Sequence, residues 1–85
     1  MANYTILLSK KAQKQLDKLS DSIAEPIIDA ISDLQHNPRP IGYRKLKGRD
    51  GLRIRIGNYR VIYDIYDNEL IVDVITIGHR KAIYK

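Results

Sequence analysis

The chain contains no cysteine, so neither a disulfide nor a thiolate metal site can hold it together. Its two histidines, His36 and His79, are far apart in sequence, and no His/Asp/Glu spacing suits a metal ion. No apolar run approaches the length of a membrane span. The N-terminus lacks the charged region and apolar core of a signal peptide. These absences lead to the expectation of a soluble, cytoplasmic protein with no membrane partner. Several common catalytic devices are missing as well: no Ser/His/Asp constellation is visible, no element carries paired carboxylates, and no glycine-rich phosphate loop precedes a helix. There are no repeats or low-complexity segments. Residues 1–85 are read as one domain, large enough for a modest core and too small for two.

What is present is positive charge, and it is unevenly placed. The formal net charge is +5. Residues 1–42 hold five Lys/Arg and five Asp/Glu, whereas residues 43–85 hold ten and five, so the whole excess lies in the second half. Between residues 44 and 60 the bases are Arg44, Lys45, Lys47, Arg49, Arg53, Arg55 and Arg60, against Asp50 alone. That density attracts nucleic acid or another acidic partner.

The pattern within this segment is more telling than its sum. From Leu52 to Tyr63, apolar and basic residues alternate with the period of a strand, and Gly57-Asn58 in the middle is a two-residue hairpin signal. A turn there sets Ile56 opposite Tyr59, Arg55 opposite Arg60 and Ile54 opposite Val61, with Arg53, Arg55 and Arg60 on one face. Like charges placed directly opposite destabilise a sheet. A polyanion would neutralise them.

The remainder supplies a scaffold. Asn3 to Leu8 reads as a short strand rich in β-formers. Ser9 is the expected N-cap of a first helix with Ala12, Leu16 and Leu19 on its apolar side and Lys10, Lys11, Lys14 and Lys18 on a solvated side. Ser22 to Glu25 has capping-box spacing for a second helix, which puts Pro26 in its first turn and Ile23, Ile27, Ala30 and Leu34 on its stripe. Asn37-Pro38-Arg39-Pro40 stops that helix, with His36 at its terminal carbonyls. Residues 41–51 read as a basic connection. Strands follow at about 52–57, 59–66 and 69–77, the last two joined by a tight turn at Asp67-Asn68. Leu52, Ile54, Ile56, Val61, Tyr63, Ile65, Leu70, Val72 and Val74 face the helices. The arginines share the other face with Ile62, Ile71, Ile75 and Ile77, and with Asp64 and Asp73 as expected ion-pair partners. Residues 78–85 are expected to fold back over that face. The expectation is an α+β fold: an N-terminal strand, a two-helix hairpin, a three-stranded antiparallel meander and a short C-terminal tail.

Cationic groups around one phosphate suit RNA cleavage by the neighbouring 2′-hydroxyl, in which charge builds on the phosphoryl oxygens. Such a reaction also needs a general base and a general acid, each worth roughly 10²–10⁴-fold in rate.

Three segments carry a resemblance to a known family: Lys45-Leu46-Lys47-Gly48, Arg53 through Tyr63, and Gly78-His79-Arg80-Lys81-Ala82-Ile83-Tyr84. Together they resemble a RelE-type toxin of the RelE/ParE toxin–antitoxin superfamily over nearly the full length. The resemblance implies a compact, microbial-RNase-like domain. It also implies a toxin that enters the ribosomal A site and cuts mRNA without a metal or other cofactor, leaving a cyclic phosphate and a 5′-hydroxyl. By position, Arg53 and Arg55 correspond to the family's basic pair on the second strand, and Arg60 to the arginine that stabilises the scissile phosphate. Arg80 and Tyr84 match the C-terminal arginine and tyrosine. Lys45, Lys47, Arg53 and His79 are assigned to RNA binding, and Arg55, Arg60, Arg80 and Tyr84 to catalysis. The family's second-strand bases can be lysines. Arginine releases its proton less readily, so proton transfer is left open among Arg55, Tyr84 and His79. The expected partner is a RelB-like antitoxin, acidic and partly disordered when free. Two alternatives stay open: a ParE-like protein that binds DNA gyrase without cutting, and a basic binding module without toxicity.

Overall fold

The computed structural model describes residues 3–79. Its elements run β1 (Thr5–Leu8), α1 (Lys10–Asp17), α2 (Asp21–Asp33), β2 (Arg44–Lys45), β3 (Leu52–Ile56), β4 (Tyr59–Tyr66) and β5 (Ile71–His79). The five strands form one sheet in the order β1-β5-β4-β3-β2. All neighbours are antiparallel except β1, which lies parallel to β5 with Thr5 beside Ile71 and Leu8 beside Val74. A parallel neighbour needs a long connection: the two helices carry the chain away from β1, and β2, β3 and β4 bring it back to β5.

The α+β class matches the sequence expectation, and the expected hairpin register holds residue for residue: Ile56 opposite Tyr59, Arg55 opposite Arg60, Ile54 opposite Val61. Gly57 has φ +60° while Asn58 does not have positive φ. A positive φ at the first central position alone is the mark of a type II′ turn, whose twist suits a hairpin.

Both helices cover one face of the sheet. Ala12, Leu16, Ile27, Ile31 and Leu34 meet Ile54, Val61, Tyr63, Val72, Val74 and Ile77 in a single core. Burying a side chain of this size fully contributes roughly 1.5–3 kcal/mol. Tyr63 is fully buried there, and its hydroxyl donates to Pro38 O at 2.7 Å, anchoring the segment after α2.

Several expectations are corrected. The second helix is capped at Ser20, not Ser22, and no side chain bonds its first turn. Pro26 is therefore the sixth helical residue, in the second turn. The buried stripe is Ala24, Ile27 and Ile31, continued by Leu34, whereas Ile23 is exposed. His36 Nδ1 lies 3.2 Å from Asn3 Oδ1 and not at the helix carbonyls. The basic connection contains a strand, β2, with Arg44 beside Arg53 and Lys45 beside Leu52. The β4–β5 turn spans Asp67–Leu70, because Tyr66 pairs with Ile71, and it leaves Leu70 at φ +55° and outside the core.

The most consequential correction concerns β5. Ile62 pairs with Thr76 and Tyr63 with Val74, so Ile75 is an extra residue in β5. Such a bulge reverses the side-chain alternation beyond it. Ile77 consequently joins the core instead of the arginine face. The bulge is engaged by α1: Ser9 Oγ donates to Ile75 O at 2.7 Å and accepts from Ala12 N at 3.0 Å. Farther along, Gln15 Oε1 accepts from Ile77 N at 2.6 Å, which satisfies a strand donor that β1 does not reach. β5 also continues through Gly78 and His79, which were expected in the tail.

Candidate nucleic-acid interface

The sheet face turned away from the helices carries the charge. β3 alternates so that Ile54 enters the core while Arg53 and Arg55 point to the other side, and Arg60 stands opposite Arg55. The three differ sharply in exposure. Arg55 is exposed, Arg53 is half-buried, and Arg60 is only 2% exposed beside the equally buried Ile62. The Arg53 guanidinium is pushed down from the usual arginine value, first by partial burial and then by the charges of Arg55 and Arg44. An anion would relieve the repulsive part of that shift.

Arg44 is the member that sequence reasoning missed. It sits directly opposite Arg53, so β2, β3 and β4 present two facing arginine pairs, Arg44–Arg53 and Arg55–Arg60. Its signal was the local charge density, but a two-residue strand offers no periodicity to detect.

Toward the other end of the face the sign changes. Asp64 stands opposite Asp73, and neither forms a salt bridge with Arg53 or Arg55 among the described residues. Burial raises the Asp64 carboxyl above the usual range, with Asp73 and Asp50 adding to it and Arg49 opposing. Beside Asp64 opens a cleft of about 580 Å³ whose walls include Arg39, Lys45, Arg49 and Tyr66. Arg39 is held at that wall by Asp67, at 2.9 and 3.3 Å, and Tyr4 OH donates to the same carboxylate at 2.7 Å. No cluster of three or more metal-ligating side chains occurs among the described residues.

Residues 6–84 match the model of the ParE toxin of the type II toxin–antitoxin system parDE. The chain belongs to the RelE/ParE toxin superfamily. The toxin RelG of Mycobacterium tuberculosis is 31% identical over 86 residues, covering 96% of this chain and 97% of that one. The mRNA interferase toxin RelE of Escherichia coli is 27% identical, covering 92% and 84%. The solved toxin–antitoxin complex RelBE2 from Mycobacterium tuberculosis contains a chain that superposes with a TM-score of 0.80 at 26% identity, covering 93% of this chain and all of that one. This chain is thus a RelE-type toxin in sequence and in fold.

In this toxin the other sequence-assigned residues are dispersed. Lys45 is exposed on β2 opposite Leu52, at the sheet end where it lines the cleft shared with Asp64, and Lys47 is exposed in the β2–β3 loop. His79 pairs with Tyr59, one register position beyond Arg60 and Gly78, so it belongs to the opposite face from the arginines. Its ring meets that of Tyr59 edge-on, with centroids 5.5 Å apart. Arg80 and Tyr84 lie outside the described residues, as does the expected fold-back of residues 80–85. No helix among the described residues is long and apolar enough to cross a membrane.

Proposed function

We propose that this toxin is a ribosome-dependent, metal-independent mRNA endoribonuclease that arrests translation in the cytoplasm. The observation that carries the reading is the double arginine pair on one open sheet face, in a chain whose relatives include a named mRNA interferase. In this reading Arg53 and Arg55, with Arg44 beside them, receive the backbone phosphate. Arg60 is fixed by burial, and a guanidinium held in a low-dielectric setting stabilises charge on the phosphoryl oxygens without reorganising. The 2′-oxygen attacks the adjacent phosphorus, its proton leaves to a base, and the P–O5′ bond breaks as the 5′-oxygen takes a proton. The products are a 2′,3′-cyclic phosphate and a 5′-hydroxyl. Arginine serves here as electrostatic clamp, because it gives up its proton poorly. Arg80 is assigned with Arg60 to the clamp and Tyr84 to the proton-transfer side, where Arg55 and His79 stay open as alternatives. Lys45, Lys47 and His79 are assigned to RNA contacts at the margins, since His79 lies on the opposite face of the sheet from Arg60.

The partner in this reading is an acidic RelB-like antitoxin, supported by relatives solved as toxin–antitoxin complexes. A charge-complementary cover is what the arginine face requires. The family description also names ParE, which keeps gyrase inhibition as the second reading. Primer extension on a reporter mRNA in reconstituted translation separates them. Cuts within codons that appear only with ribosomes support the nuclease. Growth arrest without cuts supports the gyrase reading.

A further inference from the structure

The cleft beside Asp64 lies four residues along β3 from Arg55, about 13 Å by strand rise. It therefore serves a different part of a bound strand from the cleaved phosphate. Gly51 lines it and leaves the approach to Asp64 open. A Cβ on Gly51 would stand 3.4 Å from Asp64 Oδ1 and 2.9 Å from Leu46 Cδ1, and the backbone there has φ +126°. Asp64, half-buried beside this gap, joins no salt bridge and accepts no hydrogen bond among the described residues. Around it stand the cations Arg39, Lys45 and Arg49 and a second carboxylate, Asp50, with Leu46 and Tyr66 as apolar and aromatic wall. Cations at a rim, an aromatic side and an unused acceptor inside match the parts of a nucleotide: phosphate, base plane and base edge.

We propose that this cleft is a guanine-reading subsite for the RNA, in which Asp64 accepts from the N1–H and the 2-amino group of the base. The inference rests on the RNA-cleaving reading above and names what that site recognises beyond the cut. An ionised carboxylate only accepts. Guanine offers it two adjacent donors. Adenine and cytosine set an acceptor next to their amino group, and uracil flanks its one N–H with two carbonyls. Each of those aims a lone pair at the carboxylate. Lys45 and Arg49 meet the flanking phosphates, and their charge offsets the cost of bringing a polyanion to an acidic group.

The test is fluorescence anisotropy of the full chain with single-stranded tetranucleotides built on deoxyribose, which lack the attacking 2′-hydroxyl. The frame is thymidine, with guanine, hypoxanthine or adenine at one position. Guanine is expected to bind roughly tenfold more tightly than hypoxanthine, which lacks only the 2-amino group. Asp64→Asn, close to isosteric, should erase that difference while raising affinity for the other two strands, because a negative charge is removed. Lys45→Ala should weaken all three alike and leave the ratio intact. Equal affinity for the three strands, no binding of any of them, or a guanine preference that survives Asp64→Asn would each overturn the proposal. None of these readouts depends on cutting. Absence of ribosome-dependent cleavage together with an intact, Asp64-dependent guanine preference would count against the nuclease reading alone.

Discussion

Arg55 and Arg60 stand directly opposite each other across β3 and β4, one in solvent and the other 2% exposed. Facing like charges oppose folding by up to about 1 kcal/mol, so the proposed phosphate clamp carries a folding cost. Arg55→Gln should leave stability unchanged or raise it by a few tenths of a kcal/mol. The same variant should cut ribosome-bound mRNA about 10²-fold more slowly or worse. A urea melt and single-turnover primer extension read the two effects. A variant that cuts at the parent rate would remove Arg55 from the site.

Ser9, the half-buried N-cap of α1, is predicted to matter beyond its helix. It caps the helix and binds the bulge carbonyl of Ile75 with one hydroxyl. Ser9→Ala should cost about 2 kcal/mol, the sum of a lost cap and a lost hydrogen bond. Equilibrium denaturation measures it, and a cost below a few tenths would mean that the bulge holds without the latch.

Asp67 supplies an acid-sensitive tie. Hydrogen bonds from Arg39 first and Tyr4 next hold its carboxyl below the usual carboxylate range. A folded-state pKa below the unfolded value contributes stability that is complete above the unfolded value and is lost as pH falls through the folded one. The denaturation midpoint should therefore drop as pH is lowered below about 4. Asp67→Asn should lower the neutral plateau and flatten this part of the profile.

Tyr63 supplies the alkaline counterpart. Burial pushes its phenol up to about 12. Because the folded value is raised, its contribution is complete below the unfolded value near 10 and is lost as pH rises through the folded one. Tyr63→Phe removes the bond to Pro38 O and should cost about 1 kcal/mol at neutral pH. The parent's advantage over this variant should shrink between pH 10 and 12.

Gly51→Ala is expected to be destabilising by about 1–2 kcal/mol, since an L side chain is strained at that φ and Leu46 must yield. In the tetranucleotide assay it should also weaken guanine binding by narrowing the gap over Asp64.

The hairpin was legible in the sequence because alternation, Gly-Asn and strand length all specify one register there. The first helix start was legible for a similar reason, Ser9 being followed by an apolar 3–4 spacing. Other features escaped because they depend on contacts between distant segments. The Ile75 bulge is selected by Ser9, 66 residues away, and nothing in the run Val72 to Ile77 announces a change of face. β2 exists only because β3 is available to pair with it. Ser20 and Ser22 are equally good caps locally, and packing of Ala24, Ile27 and Ile31 decides between them. At the site, the face shared by Arg53, Arg55 and Arg60 follows from strand period alone. The placement of His79 on the other face required the register of β5.

The brevity of β2 has a consequence for how the protein behaves in crowded solution. β2 covers only Leu52 and Arg53, so the main chain of Ile54 to Ile56 forms a bare sheet margin among the described strands. Such a margin can recruit a strand from another molecule and seed aggregation unless charge guards it. Arg55 is at its centre. The charge proposed to catch phosphate is thus also placed to guard this margin, and an Arg55-neutralised variant is expected to be the less soluble protein when concentrated without an antitoxin.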